Sequence, residues 1–329
     1  MALTAGKASA RARNEMKRIE LKSYGKINLS LDVKGLREDG MHLVEMVMQQ
    51  ILLCDDIAME WNPEKGKELQ INLSTNRRYL PTDERNLAYK AALEMREFCR
   101  EKSRPLPEGK LDIHIKKRIP VAAGLAGGSG NGAAVLHGLN VLWELDLDVE
   151  GLCTIGKRLG SDVPFCIMGQ AAENENLKER FRDDPLACHC ALATGTGTEL
   201  KPLPPLRSHV VLSKPPVGVS TAGVYKGIDS VEIKERPDTV EMIRGLSEKD
   251  RTLVKKNMVN VLENFTLKEY PTVVYTKNKM QELCGRDSVL MSGSGPTVFA
   301  LTDSRDEAKS VCRKMKEDNR ESYWTRTTC

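Results

Sequence analysis

The sequence contains no apolar run that approaches the roughly 20 residues a membrane-spanning helix needs. It contains no concentrated basic stripe, and its net charge of +4 over 329 residues argues against a dedicated nucleic-acid binder and weakly for anionic small molecules. The Ala-rich, basic N-terminus lacks the apolar centre of a signal peptide, so residues 1–15 are expected to form a disordered leader. We therefore expect a cytoplasmic protein that binds a small-molecule substrate, neither membrane nor nucleic acid; the oligomeric state stays open.

The nine cysteines include no Cys-x-x-Cys pair, a spacing typical of zinc ligands. Most lie within apolar segments, where cysteine is usually a small buried side chain in a reducing compartment. The one cluster, Cys188-His189-Cys190, has no further ligands at suitable spacing nearby. Ordinary strand or loop residues are therefore favoured there over a metal site.

A glycine-rich turn, Gly124 to Asn131, is the most informative segment that is present. It leads into an apolar periodicity over residues 133–145, which predicts a loop that enters a helix. Glycine lets backbone N–H groups approach a ligand closely, and a helix N-terminus adds unpaired donors and a positive dipole, so the turn suits a phosphate. It is not a P-loop, because Gly-x-x-x-x-Gly-Lys-Ser/Thr is absent. The alternative is a tight strand–helix junction without a ligand.

Strand-like and helix-like segments are mixed along the chain without repeats, which predicts an α+β fold. Strands are expected near residues 19–33, 43–53, 111–115, 210–212 and 323–326, with a hairpin in 55–73 and two strands in 289–301. Helices are expected near residues 86–99, 149–159, 221 onward, 258–265, 273–284 and 305–317. The charged stretch 171–190 is expected to be a surface insertion or mobile loop.

Three separated segments together resemble the GHMP small-molecule kinase superfamily. They are Tyr24-Gly25-Lys26-Ile27-Asn28-Leu29 with Gly40-Met41-His42, then Gly124 to Asn131 with Gly160-Ser161-Asp162-Val163-Pro164-Phe165, and finally Met291-Ser292-Gly293-Ser294-Gly295-Pro296-Thr297-Val298-Phe299. The resemblance runs from about residue 16 to residue 324 and is interrupted mainly by residues 171–190. The glycine turn alone indicates the superfamily, whereas the combination is far more specific.

The resemblance implies a two-domain fold with the active site in the cleft between the domains. Residues 16–170 would form an N-terminal ATP-binding domain like domain 2 of ribosomal protein S5, and residues 171–329 a ferredoxin-like C-terminal domain. It also implies ATP and Mg²⁺, and as acceptor the 2-hydroxyl of a cytidine-diphosphate-linked methylerythritol in the non-mevalonate (MEP) isoprenoid pathway. The alternatives are a homoserine, mevalonate or sugar kinase of the same superfamily, and a non-catalytic nucleotide-binding regulator.

Asp162 and Lys26 are the catalytic residues that the resemblance implies. Asp162 would be the general base for the acceptor hydroxyl, and Lys26 would hold Asp162 ionised. The following Val-Pro is expected to favour an extended backbone that presents the carboxylate at a helix end or turn. The alternatives are a capping or surface role for Asp162 and a Lys26 side chain that reaches to solvent.

The resemblance also implies a set of ATP-binding residues. They are Asn86, Lys117, Gly124, Leu125, Ala126, Gly127, Gly128 and Ser129. The glycine turn would hold the triphosphate through backbone N–H groups, with Ser129 close to phosphate or Mg²⁺. No side chain is assigned as a direct metal ligand, although Ser129 is a candidate. Asn86 and Lys117 match positions that line the adenine pocket, but they suit a helix cap and an exposed strand charge equally well.

Four residues are implied in binding the acceptor. Asn28 matches a contact to the polyol, His42 matches the residue that holds the cytosine ring, and Tyr225 matches an aromatic residue that stacks on it. Met41 stands where the family usually has an aromatic residue, so stacking by its thioether would be weaker and less directional. Tyr225 could instead be a core aromatic. A second glycine turn, Ser292 to Gly295, would pack near the phosphates or simply close a hairpin.

Overall fold

The computed structural model describes residues 15–329, and the leader expected at residues 1–15 lies almost wholly outside this range. The described chain forms two compact units. Unit 1 comprises the residues up to Ser23, Asp55–Lys117 and Gly128–Phe181, and unit 2 comprises Tyr24–Cys54, Arg118–Gly127 and Arg182–Cys329. The linear division into domains 16–170 and 171–329 stays a prediction.

Two long strands, β1 (Lys17–Leu36) and β2 (His42–Pro63), pair with each other, and each contributes residues to both units. In unit 1 the C-terminal part of β2 pairs antiparallel with β4 (Gly109–Lys116). β4 pairs in parallel with β3 (Gln70–Thr75), and α1 (Leu87–Glu101) lies between those two strands in the chain. This is a strand–helix–strand crossover, as parallel strands require.

The hairpin expected in residues 55–73 is therefore wrong. β2 ends at Pro63, and the next strand pairs with β4 rather than turning back onto β2. Proline lacks the N–H that would extend the ladder, which is why β2 stops there.

The remaining helices of unit 1 follow one another closely. They are α2 (Gly127–Leu142), α3 (Val149–Gly156), α4 (Val163–Glu173) and α5 (Glu175–Lys178). Gly127, the first residue of α2, is counted with unit 2.

The expected insertion or mobile loop at residues 171–190 is wrong for much of its length. α4 continues into it and α5 follows, while Leu177 and Phe181 are 0% and 3% exposed. The ring of Phe181 packs edge-on against His137 of α2, with centroids 5.3 Å apart. These two apolar anchors lie among charged residues, so the average composition of the segment conceals them.

Unit 2 contains strand pairs formed with the N-terminal part of β2 and a separate four-stranded sheet. The N-terminal part of β2 pairs antiparallel with β5 (Cys190–Thr194), and β5 pairs antiparallel with β6 (Glu199–Leu203). The second sheet has the order β10-β7-β9-β8 and is antiparallel throughout. Its strands are β7 (His209–Lys214), β8 (Val289–Met291), β9 (Val298–Thr302) and β10 (Glu321–Arg326).

Seven labelled elements complete unit 2. They are α6 (Thr221–Ile228), α7 (Thr239–Glu248), α8 (Arg251–Lys256), α9 (Glu263–Glu269), α10 (Pro271–Cys284), a 3₁₀ turn (Arg286–Ser288) and α11 (Arg305–Lys316). The strand order with α10 and α11 as crossover helices is that of a ferredoxin-like domain, which confirms the expected fold class. The helix expected over 258–265 is wrong at its start, because α9 begins only at Glu263.

Helix α11 illustrates how the sequence forms these elements. Ala308, Val311, Cys312 and Met315 recur at intervals of three or four residues and are buried, which gives one apolar face. The hydroxyl of Ser304 accepts the hydrogen bond of the Glu307 N–H and so caps the first turn. Among residues 15–329, no helix is both long enough and apolar enough to cross a bilayer.

Candidate active site

The glycine loop Gly124–Gly127 belongs to unit 2 and has an unusual backbone. Ala122, Gly124 and Ala126 all have positive φ angles, of 50°, 72° and 55°. A Cβ added to Gly124 would lie 2.2 Å from the carbonyl oxygen of Ser292, so only glycine fits there. Positive φ at two alanines costs free energy that the surrounding contacts must offset, a pattern that clusters at functional sites.

The second glycine turn, Ser292 to Gly295, lies directly against this loop. The Ser292 hydroxyl donates to the Gly124 carbonyl at 2.9 Å. Asn260 Nδ2 donates to the carbonyls of Met291 and Gly293, each at 2.8 Å. The turn therefore closes the β8–β9 hairpin and also supports the first loop; its proximity to phosphates stays a prediction.

The first turn of α2 is formed by Gly127, Gly128, Ser129 and Gly130, so the expected passage from loop to helix is confirmed. The first four N–H groups of a helix have no intrahelical acceptor, and the helix dipole is positive at that end. Ser129 is half-buried and Gly128 is exposed. This donor set, with little side-chain bulk, fits a polyphosphate.

Asp162 occupies the N-cap position of α4 and is half-buried. Its φ and ψ of −79° and −15° are helical, so the expected extended backbone is wrong. Pro164 lies in the first helical turn, where a missing N–H costs nothing, and Val163 already starts the helix. Asp162 therefore lies at a helix N-terminus, which agrees with the expected position at a helix end or turn.

Helices α2 and α4 are tied together inside unit 1. Gln170 Nε2 donates to the carbonyl of Gly130 at 2.8 Å. His137 Nε2 lies 3.0 Å from the carbonyl of Ile167. Burial lowers the pKa of His137 to about 4, so the ring is neutral at pH 7 and donates from this nitrogen. These bonds fix the start of α2 relative to the helix that carries Asp162.

Lys26 is buried in the middle of β1, which rules out the alternative in which its side chain reaches to solvent. Its Nζ donates to Asn28 Oδ1 at 2.7 Å. Residues two apart on a strand share a face, so both side chains lie on the same side of β1. The Lys26 N–H also donates to the Leu125 carbonyl at 3.1 Å, which joins β1 to the glycine loop.

Lys117 follows β4 and is buried, so the alternative of an exposed strand charge is wrong. Its Nζ forms an ion pair with the fully buried Asp55 and donates to Asn131 Oδ1 at 3.1 Å. Asn131 Nδ2 in turn donates to Asp55 Oδ2 and to Ser23 Oγ, both at 2.9 Å. We call these four residues, Ser23, Asp55, Lys117 and Asn131, the lysine network. It links β2 and the end of β4 to the first turns of α2.

Asn86 is the N-cap of α1, as one of its two interpretations proposed. Its Oδ1 accepts from the Ala88 N–H at 3.0 Å, and its Nδ2 donates to the Pro81 carbonyl at 2.8 Å. A contact between Asn86 and adenine stays a prediction.

His42 and Tyr225 lie together in unit 2, with ring centroids 5.3 Å apart and ring planes at 44°. Tyr225 is half-buried, whereas Val224 and Ile228 are the buried residues of α6, so Tyr225 is not a core aromatic. Met41, beside His42, is 48% exposed. Asp229, which no sequence motif marks, has its two carboxylate oxygens 2.9 and 3.1 Å from His42 Nε2.

Cys188 is half-buried and Cys190 is buried. Burial raises the pKa of Cys188 to about 12 and that of Cys190 further still. Cys190 is the first residue of β5. Within residues 15–329, no group of three or more His, Cys, Asp or Glu side chains is arranged to hold a metal ion.

The model of the GHMP kinases N-terminal domain matches residues 86–170, and the model of the GHMP kinases C-terminal domain matches residues 242–321. A protein of Alkaliphilus metalliredigens strain QYMF, named 4-diphosphocytidyl-2-C-methyl-D-erythritol kinase, is 44% identical over 301 residues. The match covers 91% of this chain and 93% of that protein. The chain belongs to the GHMP kinase family.

Solved structures agree with this assignment. A crystal structure of 4-(cytidine 5'-diphospho)-2C-methyl-D-erythritol kinase superposes on this GHMP kinase with a TM-score of 0.71 and 26% identity, covering 94% of this chain and 100% of the other. Homoserine kinase from Cytophaga hutchinsonii superposes with a TM-score of 0.66 at 18% identity, covering 94% of each chain. The second similarity shows the shared fold alone.

Lys117→Met tests whether the ion pair with Asp55 stabilises this GHMP kinase. Lys117→Met leaves the buried Asp55 carboxylate without its cation, so we expect the free energy of unfolding to fall by about 3 kcal/mol in urea denaturation. The double variant Lys117→Met/Asp55→Asn removes both charges and should recover most of that loss. Lys116→Met, an exposed neighbour, is the matched control. If Lys117→Met is as stable as the control, the ion pair does not support the fold.

Proposed function

We propose that this GHMP kinase transfers the γ-phosphoryl group of ATP to the 2-hydroxyl of 4-diphosphocytidyl-2-C-methyl-D-erythritol, in the non-mevalonate pathway of isoprenoid precursor synthesis. The proposal is carried by the similarity to proteins named 4-diphosphocytidyl-2-C-methyl-D-erythritol kinase, which are 40–44% identical to this chain over at least 90% of its length. The N–H groups at the start of α2 suit the phosphates of ATP, and the paired rings of His42 and Tyr225 suit the cytosine of the acceptor.

In the proposed reaction, the acceptor hydroxyl oxygen bonds to the γ-phosphorus while the bond to the β–γ bridging oxygen breaks and ADP leaves. Asp162 takes the hydroxyl proton. Lys26 supplies a positive charge that keeps Asp162 ionised and favours loss of that proton. Because phosphoryl transfer needs little covalent work from the protein, positioning and charge stabilisation carry the catalysis.

The glycine loop and the first turn of α2 are proposed to bind the ATP phosphates through the backbone N–H groups of residues 124–129, which stabilise negative charge as it develops. Mg²⁺, bound to those phosphates with the Ser129 hydroxyl close by, would neutralise part of their charge and orient them. Dedicated carboxylate ligands are not required for this, since Mg²⁺ commonly binds through one or two side chains and substrate phosphates.

Asn86 and Lys117 are proposed to line the adenine pocket. Both side chains already make hydrogen bonds inside unit 1: Asn86 caps α1, and the Lys117 ammonium is held by Asp55 and Asn131. A contact to the base is therefore expected from the aliphatic stem or backbone of Lys117 rather than from its ammonium group.

The acceptor is proposed to contact Asn28 through its polyol and His42, Tyr225 and Met41 through its cytosine. The tilted rings of His42 and Tyr225 offer aromatic surface and polar edges, which a planar base can use through stacking and hydrogen bonds. Met41, exposed next to His42, can add a polarizable sulfur contact in place of an aromatic ring.

The alternative functions do not explain why these side chains are present. Homoserine, mevalonate and sugars carry no base for His42 and Tyr225 to hold. A non-catalytic regulator would not need the lysine and the acid, yet both Lys26 and Asp162 are present.

Release of ADP in a coupled assay with a panel of acceptors tests the proposed function. With ATP and Mg²⁺, we expect ADP release well above background with the cytidyl substrate and near background with homoserine, mevalonate and simple sugars. ³¹P NMR should then show a new phosphomonoester on the 2-hydroxyl. Turnover of another acceptor alone would contradict the proposed substrate. If none of the acceptors leads to ADP release, the non-catalytic regulator would be favoured.

Asp162→Asn tests the proposed general base. Because the amide cannot accept the hydroxyl proton, we expect kcat to fall by roughly 10²- to 10⁴-fold, with the dissociation constant for ATP almost unchanged. Asp148→Asn, at the N-cap of α3 in the same unit, is the matched control and should retain turnover. Near-normal turnover by Asp162→Asn would remove this residue from the mechanism.

A further inference from the structure

Helix α6 presents two side chains to His42. The ring of Tyr225 lies 5.3 Å from the His42 ring between centroids. Asp229, at the C-cap of the same helix, has its carboxylate oxygens 2.9 and 3.1 Å from His42 Nε2. Residues four apart on a helix share a face, so one helix fixes both the position of the imidazole and the partner of one of its nitrogens.

We propose that Asp229 is a positioning residue that sets the tautomer of His42 and thereby makes this GHMP kinase select an amino-bearing pyrimidine over an oxo-bearing one. The inference rests on the proposed function in one respect, that His42 meets the base of the acceptor. It goes further by naming the group that makes His42 discriminate between cytosine and uracil.

The tautomer follows from hydrogen-bond chemistry. An ionised carboxylate only accepts hydrogen bonds, so His42 Nε2 must carry the proton that lies between them. A neutral imidazole has a single N–H, which leaves Nδ1 with a lone pair and makes it an acceptor. Within residues 15–329, His42 Nδ1 has no hydrogen-bond partner, so this acceptor is available to a ligand.

The available acceptor matches one base and opposes the other. Cytosine has an exocyclic amino group, a donor, at the position where uracil has a carbonyl oxygen, an acceptor. An amino group can donate to Nδ1, whereas a carbonyl would place two lone pairs against each other and leave both unsatisfied. A site built to bond a polar group rejects an analogue without it more strongly than an apolar pocket rejects an added group.

The exposure of His42 and Asp229 allows their effect on base selectivity to be measured without loss of the folded state. The side chain of His42 is 10% exposed and that of Asp229 is 50% exposed. A half-exposed charge contributes little to stability, so removal of the Asp229 carboxylate should leave the protein folded. Without the carboxylate, His42 can adopt either tautomer, and the Nδ1–H form would donate a hydrogen bond to the uracil carbonyl oxygen instead.

Binding of cytidine diphosphate and uridine diphosphate, measured by calorimetry without ATP, tests the proposal. We expect the wild-type protein to bind cytidine diphosphate at least about tenfold more tightly. In Asp229→Ala this ratio should fall to within about threefold, because the tautomer is no longer set. Asp303→Ala, which removes another exposed, ion-paired aspartate of unit 2, is the control and should keep the wild-type ratio.

¹⁵N NMR of the labelled His42 imidazole gives a readout that a merely structural role would not move. The wild-type protein should show a protonated Nε2 and an unprotonated Nδ1, and Asp229→Ala should show a mixture of both tautomers. A wild-type protein with a protonated Nδ1, or an unchanged diphosphate ratio in Asp229→Ala, would overturn the proposal.

The two proposals fail separately. If the cytidyl substrate is phosphorylated but Asp229→Ala keeps the full preference, the tautomer proposal fails and the kinase function stands. If the cytidyl substrate is not phosphorylated but the preference for cytidine diphosphate depends on Asp229, the kinase function fails and the tautomer proposal stands.

Discussion

The close approach of two glycine turns in unit 2 is the constraint on which the rest of the site depends. Gly124 lies so near the Ser292 carbonyl that a Cβ would come within 2.2 Å of its oxygen. The Ser292 hydroxyl bonds back to the Gly124 carbonyl, and Leu125 accepts from the Lys26 N–H. The loop that enters α2 is thus held both by the β8–β9 hairpin and by the strand that carries Lys26. Positive φ at Ala122 and Ala126 is tolerated because these contacts determine the loop from several sides.

Buried polar side chains fix the positions of the proposed functional residues of unit 1. His137 and Gln170 join α2 to α4, and therefore fix the first turn of α2 relative to Asp162. The lysine network anchors the same turn through Asn131. A buried polar network is costly when one member is missing, so each of these residues is constrained by the others. Rigid positioning is the protein's main contribution in phosphoryl transfer, which gives such networks a functional reason.

Much of this arrangement could be predicted from the sequence where the signal is local. The alternation in β1, the apolar face of α11 and the passage of the glycine loop into α2 all follow from short-range pattern. The two-domain architecture came from the resemblance of three short segments to a known superfamily, not from periodicity.

The rest depends on contacts between residues far apart in the chain, which leave no periodic trace. Asp55 is 62 residues from Lys117, and Asp229 is 187 residues from His42, so neither partner could be chosen from the sequence. The parallel pairing of β3 with β4 is non-local in the same way. In residues 171–190 the frequent charges concealed two apolar anchors, Leu177 and Phe181.

The ATP affinity of Gly124→Ala tests most directly whether the contact between the two glycine turns shapes the proposed phosphate-binding loop. The added methyl group must displace the Ser292 carbonyl, whereas Gly35→Ala, with no atom within 4 Å of the new Cβ, provides the matched comparison. This role of the contact predicts that Gly124→Ala stays folded by circular dichroism and binds ATP at least about tenfold more weakly, while Gly35→Ala binds as the wild-type protein does. Wild-type ATP affinity in Gly124→Ala would contradict it.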